Sequence, residues 1–239
     1  MKAWDWPAFF EYLTSPFLMM GAWTTIWLTV VSMVIGLVLG LITALMRLSG
    51  IPVLVAIARF YTWLWRGTPL LVQLIIIFTG LPQLGIRLNV VQSALIGLGV
   101  NEGAYISEII RAGIQSVSRG QFDAARALGM NFPTMMRVVI LPQAARVIIP
   151  PLGNNFNGLL KTSSLASVIS MEELLRRSQM LTQVQFRVLE IFVVAAIFYL
   201  IMTTIWGVIQ GRLENYFGRG HAASARRTAK AVLDEQDAR

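Results

Sequence analysis

Residues 15–48 read SPFLMMGAWTTIWLTVVSMVIGLVLGLITALMRL, and this stretch decides the fold class. It carries no charged side chain between Ser15 and Arg47, and it is rich in Leu, Val, Ile and Gly. A helix needs about 20 mostly apolar residues to cross the hydrocarbon core of a membrane. The stretch therefore predicts a membrane-spanning helix near residues 19–46. Gly36 and Gly40 within it permit close contact with another helix, which we expect to be internal packing.

The rest of the chain has the same apolar character. Of its 239 residues, 56% are hydrophobic and only 13% are charged, and the mean hydropathy is +0.64. Such values indicate an integral membrane protein with room for about five or six spans. We predict an all-α membrane helical bundle with about five transmembrane helices, the other four near residues 51–81, 90–115, 145–169 and 188–210.

Basic residues predict the orientation of the bundle, because they are enriched in cytoplasmic loops. An N-terminus outside and a C-terminus inside leave eleven basic residues in the cytoplasm and five outside. The expected parts are an outer segment (1–16), a transmembrane domain (17–212) with a cytoplasmic loop (116–146), and a polar cytoplasmic tail (213–239). The tail is too poor in large apolar residues to fold alone, so we expect it to be mobile. The inner set is Arg47, Arg119, Arg126, Arg137, Arg146, Arg212, Arg219, Arg226, Arg227, Lys230 and Arg239, and the outer set is Lys2, Arg87, Arg176, Arg177 and Arg187.

The composition excludes several kinds of chemistry. With no cysteine and a single histidine, His221, the chain lacks the residues for thiol catalysis, an intramembrane triad or a histidine-based metal site. None of its three lysines follows a glycine, so it has no Gly-Lys-Ser/Thr phosphate loop. We therefore expect no catalytic activity, no metal and no cofactor in this chain. Topology accounts for the net charge of +8 without nucleic acid.

A polar segment interrupts the apolar pattern at residues 120–142, GQFDAARALGMNFPTMMRVVILP. Its alanines favour a short helix, Gly129 suits a left-handed helix end, and Pro142 marks the return to the membrane. On the cytoplasmic side of a membrane bundle, such a segment predicts a docking site for a soluble partner. The small side chains of Ala124 and Ala125 would let the partner's surface come close.

Charged residues within the spans either hold helices together or line a pathway, because a charge in the bilayer costs about 3 kcal/mol or more. Glu108 and Arg111, three residues apart, are expected to pair on one helix face. Lys161, among Asn, Thr and Ser side chains, can receive a substrate carboxylate or pair with Glu102 or Glu108.

A break is expected in the second span at residues 67–69, where Gly67 adds backbone freedom and Pro69 removes a donor. Arg66 immediately precedes it. This arginine either lines a cavity at the break or extends to the cytoplasmic face.

The loop resembles the EAA loop of permease subunits of bacterial ATP-binding-cassette (ABC) importers, with the pattern Glu-Ala-Ala, three residues, Gly, nine residues, Ile, one residue, Leu-Pro. Asp and Val replace the pattern's Glu and Ile in this chain. Three stretches also look like the polar amino acid branch of those permeases: RGTPLLVQ (66–73), AYISEIIRAG (104–113) and KTSSL (161–165). The matching loop residues are Asp123, Ala124, Ala125, Gly129, Val139, Leu141 and Pro142.

The resemblance implies an importer subunit in the bacterial inner membrane that passes a polar amino acid by alternating access. The implied partners are two cytoplasmic ATP-binding subunits, which hold ATP and Mg, a second permease copy or paralogue, an extracytoplasmic solute-binding protein and membrane lipid. An ion or small-solute channel is the alternative, and an intramembrane enzyme is a more distant one.

Two sets of site residues and one outer surface are expected. The amphipathic stretch 171–187, which offers Glu172, Glu173, Arg176 and Arg177, contacts the binding protein or lies inert at the membrane surface. The ATPase-coupling set is Gln121, Asp123, Ala124, Ala125, Leu128, Gly129, Leu141 and Pro142. The substrate-pathway set is Arg66, Thr68, Glu108, Arg111, Asn154, Asn155, Lys161, Ser163 and Ser164.

Overall fold

The computed structural model describes residues 4–237, and the side chains of residues 4–217. Every regular element in residues 4–237 is helical, as predicted. The side chains of the tail beyond residue 217, which we expected to be mobile, lie outside this description. The α-helices are α1 (Trp6–Leu13), α2 (Pro16–Leu48), α3 (Pro52–Gly67), α4 (Leu70–Ile75), α5 (Val90–Gln115), α6 (Arg119–Ala127), α7 (Phe132–Met135), α8 (Leu141–Thr162), α9 (Leu174–Gln185) and α10 (Val188–Asp237).

Short π- and 3-10 turns extend three of these helices. A π turn (Ile76–Gly80) and a 3-10 turn (Leu81–Leu84) continue α4. A second π turn (Met136–Ile140) joins α7 to α8, and a 3-10 turn (Ser163–Ile169) follows α8. The predicted fourth span therefore begins earlier than expected, because the helical path is continuous from Phe132 to Ile169.

Within the part of the chain that the structure describes, three helical stretches are long and apolar enough to cross a membrane: Pro16–Leu48, Phe132–Ile169 and Val188–Phe217. The pair Pro52–Gly67 and Leu70–Leu84 meets the same criteria when taken together, with a bend of 102° between its parts. This bend confirms the break predicted at residues 67–69. Thr68 is extended (φ −120°, ψ 147°), as steric contact with the ring of a following proline requires.

Helices α2 and α5 pack along their glycines. A Cβ atom on Gly40 of α2 would lie 2.6 Å from Cγ2 of Ile106 on α5, and one on Gly36 would be similarly crowded by the same helix. Only glycine permits such an approach, and the contact lies inside this chain, as predicted. α5 is 26 residues long but more polar than α2, with Asn101 and Glu102 near its middle.

Buried apolar side chains form two cores. One lies between α2, α5 and α8 and includes Leu28, Leu98 and Leu159. The other joins α1 and the start of α2 to α9 and α10 and includes Leu18 and Leu174. Because α6 and α7 precede α8 and α9 follows it, these elements lie at opposite ends of a helix about 33 Å long.

Candidate functional site

The break between α3 and α4 is held by side-chain amides. Nε2 of Gln73 donates hydrogen bonds to the carbonyl oxygens of Trp65 (2.9 Å) and Thr68 (3.1 Å) and to Oγ1 of Thr68 (2.8 Å). Nδ2 of Asn101 donates to the carbonyl of Trp65 (3.0 Å) and to Oε1 of Gln73 (2.9 Å). Carbonyls released at a helix end need partners where water is scarce. This neutral network fixes the shape of the break and ties it to α5.

A cleft of about 250 Å³ lies beside this network, between α4, α5 and α8. Within it, Oε2 of Glu102 accepts a hydrogen bond from Nδ2 of Asn155. Glu102 is 8% exposed, and no lysine or arginine among the described side chains forms an ion pair with it. A buried carboxylate without a cation is unfavourable, so the cleft suits a ligand that carries positive charge. The cleft is lined by Leu70, Asn101, Glu102, Tyr105, Asn155, Gly158, Leu159, Thr162 and Leu165.

Glu108 lies about two turns beyond Glu102 on α5. One arginine from each of α2, α3 and α5 lies within ion-pair distance of its carboxylate. Arg47 of α2 donates a hydrogen bond to its carboxylate. Arg111 donates from Nη2 (2.7 Å) and Nε (2.9 Å). Nη1 of Arg66, in the last turn of α3, lies 3.7 Å from Oε1 of Glu108. The predicted Glu108–Arg111 pair is therefore confirmed as part of a larger cluster with one negative and three positive charges.

Lys161 is exposed near the end of α8. It forms no ion pair with a described side chain, so the predicted alternative of pairing with Glu102 or Glu108 is wrong. Glu102 instead accepts a hydrogen bond from Asn155, and Glu108 pairs with Arg47 and Arg111. The next residue, Thr162, lines the cleft, but Lys161 is not among the residues that line it.

Of the remaining residues predicted for the substrate pathway, only Asn155 lines the cleft. Asn155 lies in the cleft, whereas Oδ1 of Asn154 accepts a hydrogen bond from Nε2 of Gln210 on α10 (3.0 Å). Ser163 is buried, and both it and Ser164 donate to carbonyls of their own helical turn, at 3.0 Å and 2.6 Å. Thr68 lies at the break between α3 and α4, where its carbonyl oxygen and Oγ1 accept hydrogen bonds from Gln73.

The loop at residues 116–146 folds largely as predicted, with a short helix, a turn and a return to the bundle. Gly129 has a φ of +73°, and its N–H donates to the carbonyl of Arg126 (2.9 Å), while the N–H of Met130 donates to that of Ala125 (3.1 Å). This is the bonding of a Schellman helix end. On the far side of the turn, Nε2 of Gln143 donates to Oε1 of Gln121 (3.0 Å), which holds α6 against the start of α8.

Ala124 and Ala125 were both expected to face a partner, but only one of them is exposed on the surface of the loop. Ala124 is exposed, but Ala125 is only 2% exposed, because it packs into the core with Met135. Ala125 therefore anchors the loop and does not offer a contact surface. Leu128 and Phe132 are 76% and 67% exposed, so the apolar surface of the loop lies around the turn.

The opposite end of the bundle also departs from expectation. Glu173 was predicted as a partner contact, but it is fully buried. Its carboxylate caps α9 through the N–H groups of Leu175 (2.9 Å) and Arg176 (2.8 Å) and accepts a hydrogen bond from the hydroxyl of Tyr199 (2.9 Å). Burial raises the pKa of Glu173, although these hydrogen bonds oppose the shift.

Sequence reasoning did not identify Asn101, Gln73 and Tyr105 as parts of the site, and it treated Arg47 only as a cytoplasmic charge. Asn101 and Gln73 are buried polar residues inside apolar spans, which is a signal that a functional or structural network needs them. The contact between Arg47 and Glu108 joins residues 61 positions apart, and nothing in the local pattern indicates it.

Helices apolar enough to span a membrane, a cleft that contains a buried carboxylate and a helical loop at one end are together typical of a membrane transport subunit. Residues 36–217 match the family of the binding-protein-dependent transport system inner membrane component. The chain belongs to this family, the permease subunits of ABC importers, which confirms the predicted resemblance. It is thus an inner-membrane transport subunit without ATPase activity of its own, and its family implies ATP-binding subunits and a solute-binding protein as partners.

Named relatives resemble the chain over nearly all of its length. The arginine transport system permease protein ArgU of Corynebacterium glutamicum is 41% identical over 250 residues, which cover 99% of this chain and 79% of that protein. The L-cystine transport system permease protein TcyB of Bacillus subtilis is 43% identical over 209 residues, covering 85% and 89%. A solved structure of an amino acid ABC transporter with histidines matches with a TM-score of 0.84 and 38% identity, over 90% of this chain and 100% of that one.

Proposed function

We propose that this chain forms the pathway of an importer for a polar amino acid and that it does so with five membrane spans. The spans are α2, the broken pair α3–α4 with its extensions, α5, the path from α7 through α8, and α10. α5 is polar for a span, but its packing between α2, α3 and α8 shields its polar groups from lipid. With the basic residues in the cytoplasm, the N-terminal segment (1–16) lies outside, whereas the loop (116–146) and the tail (213–239) lie inside.

The substrate would bind in the cleft beside Glu102. The ammonium group of an amino acid would pair with Glu102, which has no cation as a partner among the described side chains. Its carboxylate would pair with Lys161, which is exposed and precedes Thr162 of the cleft wall. Asn155 hydrogen-bonds to the carboxylate of Glu102 in the cleft. Glu108 and Arg111 lie farther along α5, and Arg66 of α3 lies beside Glu108. The unpaired carboxylate in a cleft is the observation that carries this proposal. Relatives named for arginine and L-cystine transport are consistent with an amino acid as substrate.

The loop would transmit the power stroke of the ATP-binding subunits. Its apolar turn, at Leu128, Gly129 and Phe132, is exposed, while Ala125 and Gln143 fix it to the bundle, so a force applied at the turn reaches α8. ATP and Mg belong to two partner subunits, and the pathway is completed by a second permease copy or a paralogue. The coupling set is Gln121, Asp123, Ala124, Leu128, Gly129, Leu141 and Pro142, with Ala125 as its internal anchor.

Transport in liposomes tests the proposal. The permease, its ATP-binding subunit and its binding protein are reconstituted together, and uptake of labelled amino acids is measured with and without ATP. We expect uptake only when ATP and the binding protein are both present. Downhill flux of solute without either component would instead support the channel alternative.

A further inference from the structure

The cluster around Glu108 contains one loosely held member. Arg47 and Arg111 hydrogen-bond to the carboxylate, and their side chains are 18% and 26% exposed. Arg66 lies 3.7 Å away without a hydrogen bond to Glu108, and its side chain is 43% exposed. Two guanidinium groups already satisfy the carboxylate, so Arg66 is the arginine that can leave at the lowest cost.

Arg66 also touches the wall of the substrate cleft. The centre of its guanidinium group lies 5.3 Å from the ring centroid of Tyr105, and Tyr105 lines the cleft together with Glu102. Glu102, Tyr105 and Glu108 follow one another at intervals of three residues along α5, which places them on neighbouring parts of one helix surface. A single arginine therefore bridges the cleft and the ion cluster.

Arg66 lies where a change in its contacts can alter the angle between α3 and α4. It lies in the last turn of α3, directly before the bend of 102°. The amides of Gln73 and Asn101 set the shape of the bend, but they are neutral and do not face the ion cluster. Among the described side chains, Arg66 provides the charged contact between the broken pair α3–α4 and α5.

From this geometry we propose that Arg66 is a positioning residue that couples occupancy of the cleft to the position of the broken helix. A substrate that fills the cleft against Tyr105 displaces the ring on which Arg66 lies, and this removes the contact that holds the guanidinium group near Glu108. Release of Arg66 removes the charged contact between the end of α3 and α5 and leaves the hydrogen bond from Asn101 to the carbonyl of Trp65 as a neutral pivot. An ion pair of this kind is well suited to a reversible latch because it is weak and partly exposed. This inference rests on the proposed function of the cleft.

The test uses the complete importer in nanodiscs and measures ATP hydrolysis with and without the substrate-loaded binding protein. Arg66→Gln removes the latch, so hydrolysis without the binding protein should rise by about two- to fivefold, the range expected for loss of a partly exposed ion pair. The stimulation by the loaded binding protein should fall toward one. Arg66→Lys keeps the charge and should restore part of the stimulation.

Arg59→Gln provides the matched control. Arg59 lies on the same helix about two turns earlier, is exposed, and forms no ion pair with a described side chain. Both rates should match those of the native importer in this variant. Subunit stoichiometry after purification verifies assembly, and if Arg66→Gln fails to assemble, Tyr105→Leu removes the other half of the contact and is expected to raise basal hydrolysis in the same way.

Two results separate this inference from the proposed function. If the native importer is stimulated normally and the assembled Arg66→Gln and Tyr105→Leu variants behave like it, the latch is refuted while the importer assignment stands. If the native complex shows no hydrolysis that depends on the binding protein, the proposed function fails, and the latch fails with it.

Discussion

Gly36 of α2 lies so close to Glu102 of α5 that a Cβ atom added at position 36 would be 2.8 Å from the Cβ of Glu102. The close approach of the two helices and the placement of the cleft carboxylate therefore depend on the same contact. The glycine spacing of α2 sets the separation of the helices, and that separation sets where Glu102 stands. Helix packing and the substrate binding that we propose at Glu102 therefore depend on the same contact.

Replacement of Gly36 by valine should destabilise the permease by about 1–3 kcal/mol, because the added side chain overpacks a rigid contact. Thermal unfolding of the purified protein in detergent measures the effect. Gly207→Val on α10 is the control, since no atom lies within 4 Å of a Cβ added there. Equal melting temperatures for the two variants would contradict the close packing of α2 and α5.

Glu102→Gln tests the charge in the cleft. The substitution keeps the size of the side chain but removes the charge that we expect to hold the substrate's ammonium group. A charge-assisted hydrogen bond contributes about 1.5–3 kcal/mol, so the substrate concentration for half-maximal uptake should rise by about ten- to hundredfold. Glu11→Gln, which changes an exposed carboxylate on α1, should leave uptake unchanged. Normal uptake by Glu102→Gln would remove this residue from the pathway.

Gln73→Leu tests the network at the break. The carbonyls of Trp65 and Thr68 would lose a donor in a partly buried place, which should cost about 1–3 kcal/mol of unfolding free energy. Because Asn101 donates to Gln73 and to the same carbonyl, Gln73→Leu combined with Asn101→Leu should cost less than the two single changes together. Strict additivity in this double-mutant cycle would show that the two amides act independently.

Sequence reasoning succeeded where local chemistry decides the backbone. The break before Pro69, the left-handed turn at Gly129 and the pairing of Glu108 with Arg111 each follow from residues within a few positions of one another. The helical fold and the membrane class follow from hydropathy, which is summed over long windows.

The errors arise where tertiary packing decides the environment of a side chain. Ala125 and Glu173 both lie in polar stretches that look exposed, yet one packs into the core and the other caps a buried helix start. Arg47 and Arg66 reach Glu108 only because α2 and α3 both pack against α5. No single-helix periodicity contains that information.

Glu173 should give the permease a specific pH dependence. Its pKa is raised by burial, so the native state binds the proton more tightly than the unfolded state does. The proton's contribution to stability is therefore complete below the ordinary glutamate pKa of 4.5 and is lost as the pH rises through the raised value.

Melting temperatures measured across this pH range should fall more steeply for the native protein than for Glu173→Gln, which cannot titrate. Glu172→Gln is the neighbouring control, since its side chain is 54% exposed, and its profile should follow that of the native protein. An unchanged slope in Glu173→Gln would show that this carboxyl group does not titrate within the window.

Co-purification from membranes tests whether the loop at residues 116–146 docks an ATP-binding subunit, as we propose. Gly129→Asp is compared with Gly50→Asp, because both glycines have left-handed φ angles (+73° and +71°) and no atom within 4 Å of an added Cβ. The backbone strain is therefore matched, and only position 129 lies in the loop. We predict that Gly129→Asp loses the ATP-binding subunit while Gly50→Asp and the native chain retain it. Equal retention of the ATP-binding subunit by both folded variants would show that the turn at Gly129 is not its docking site.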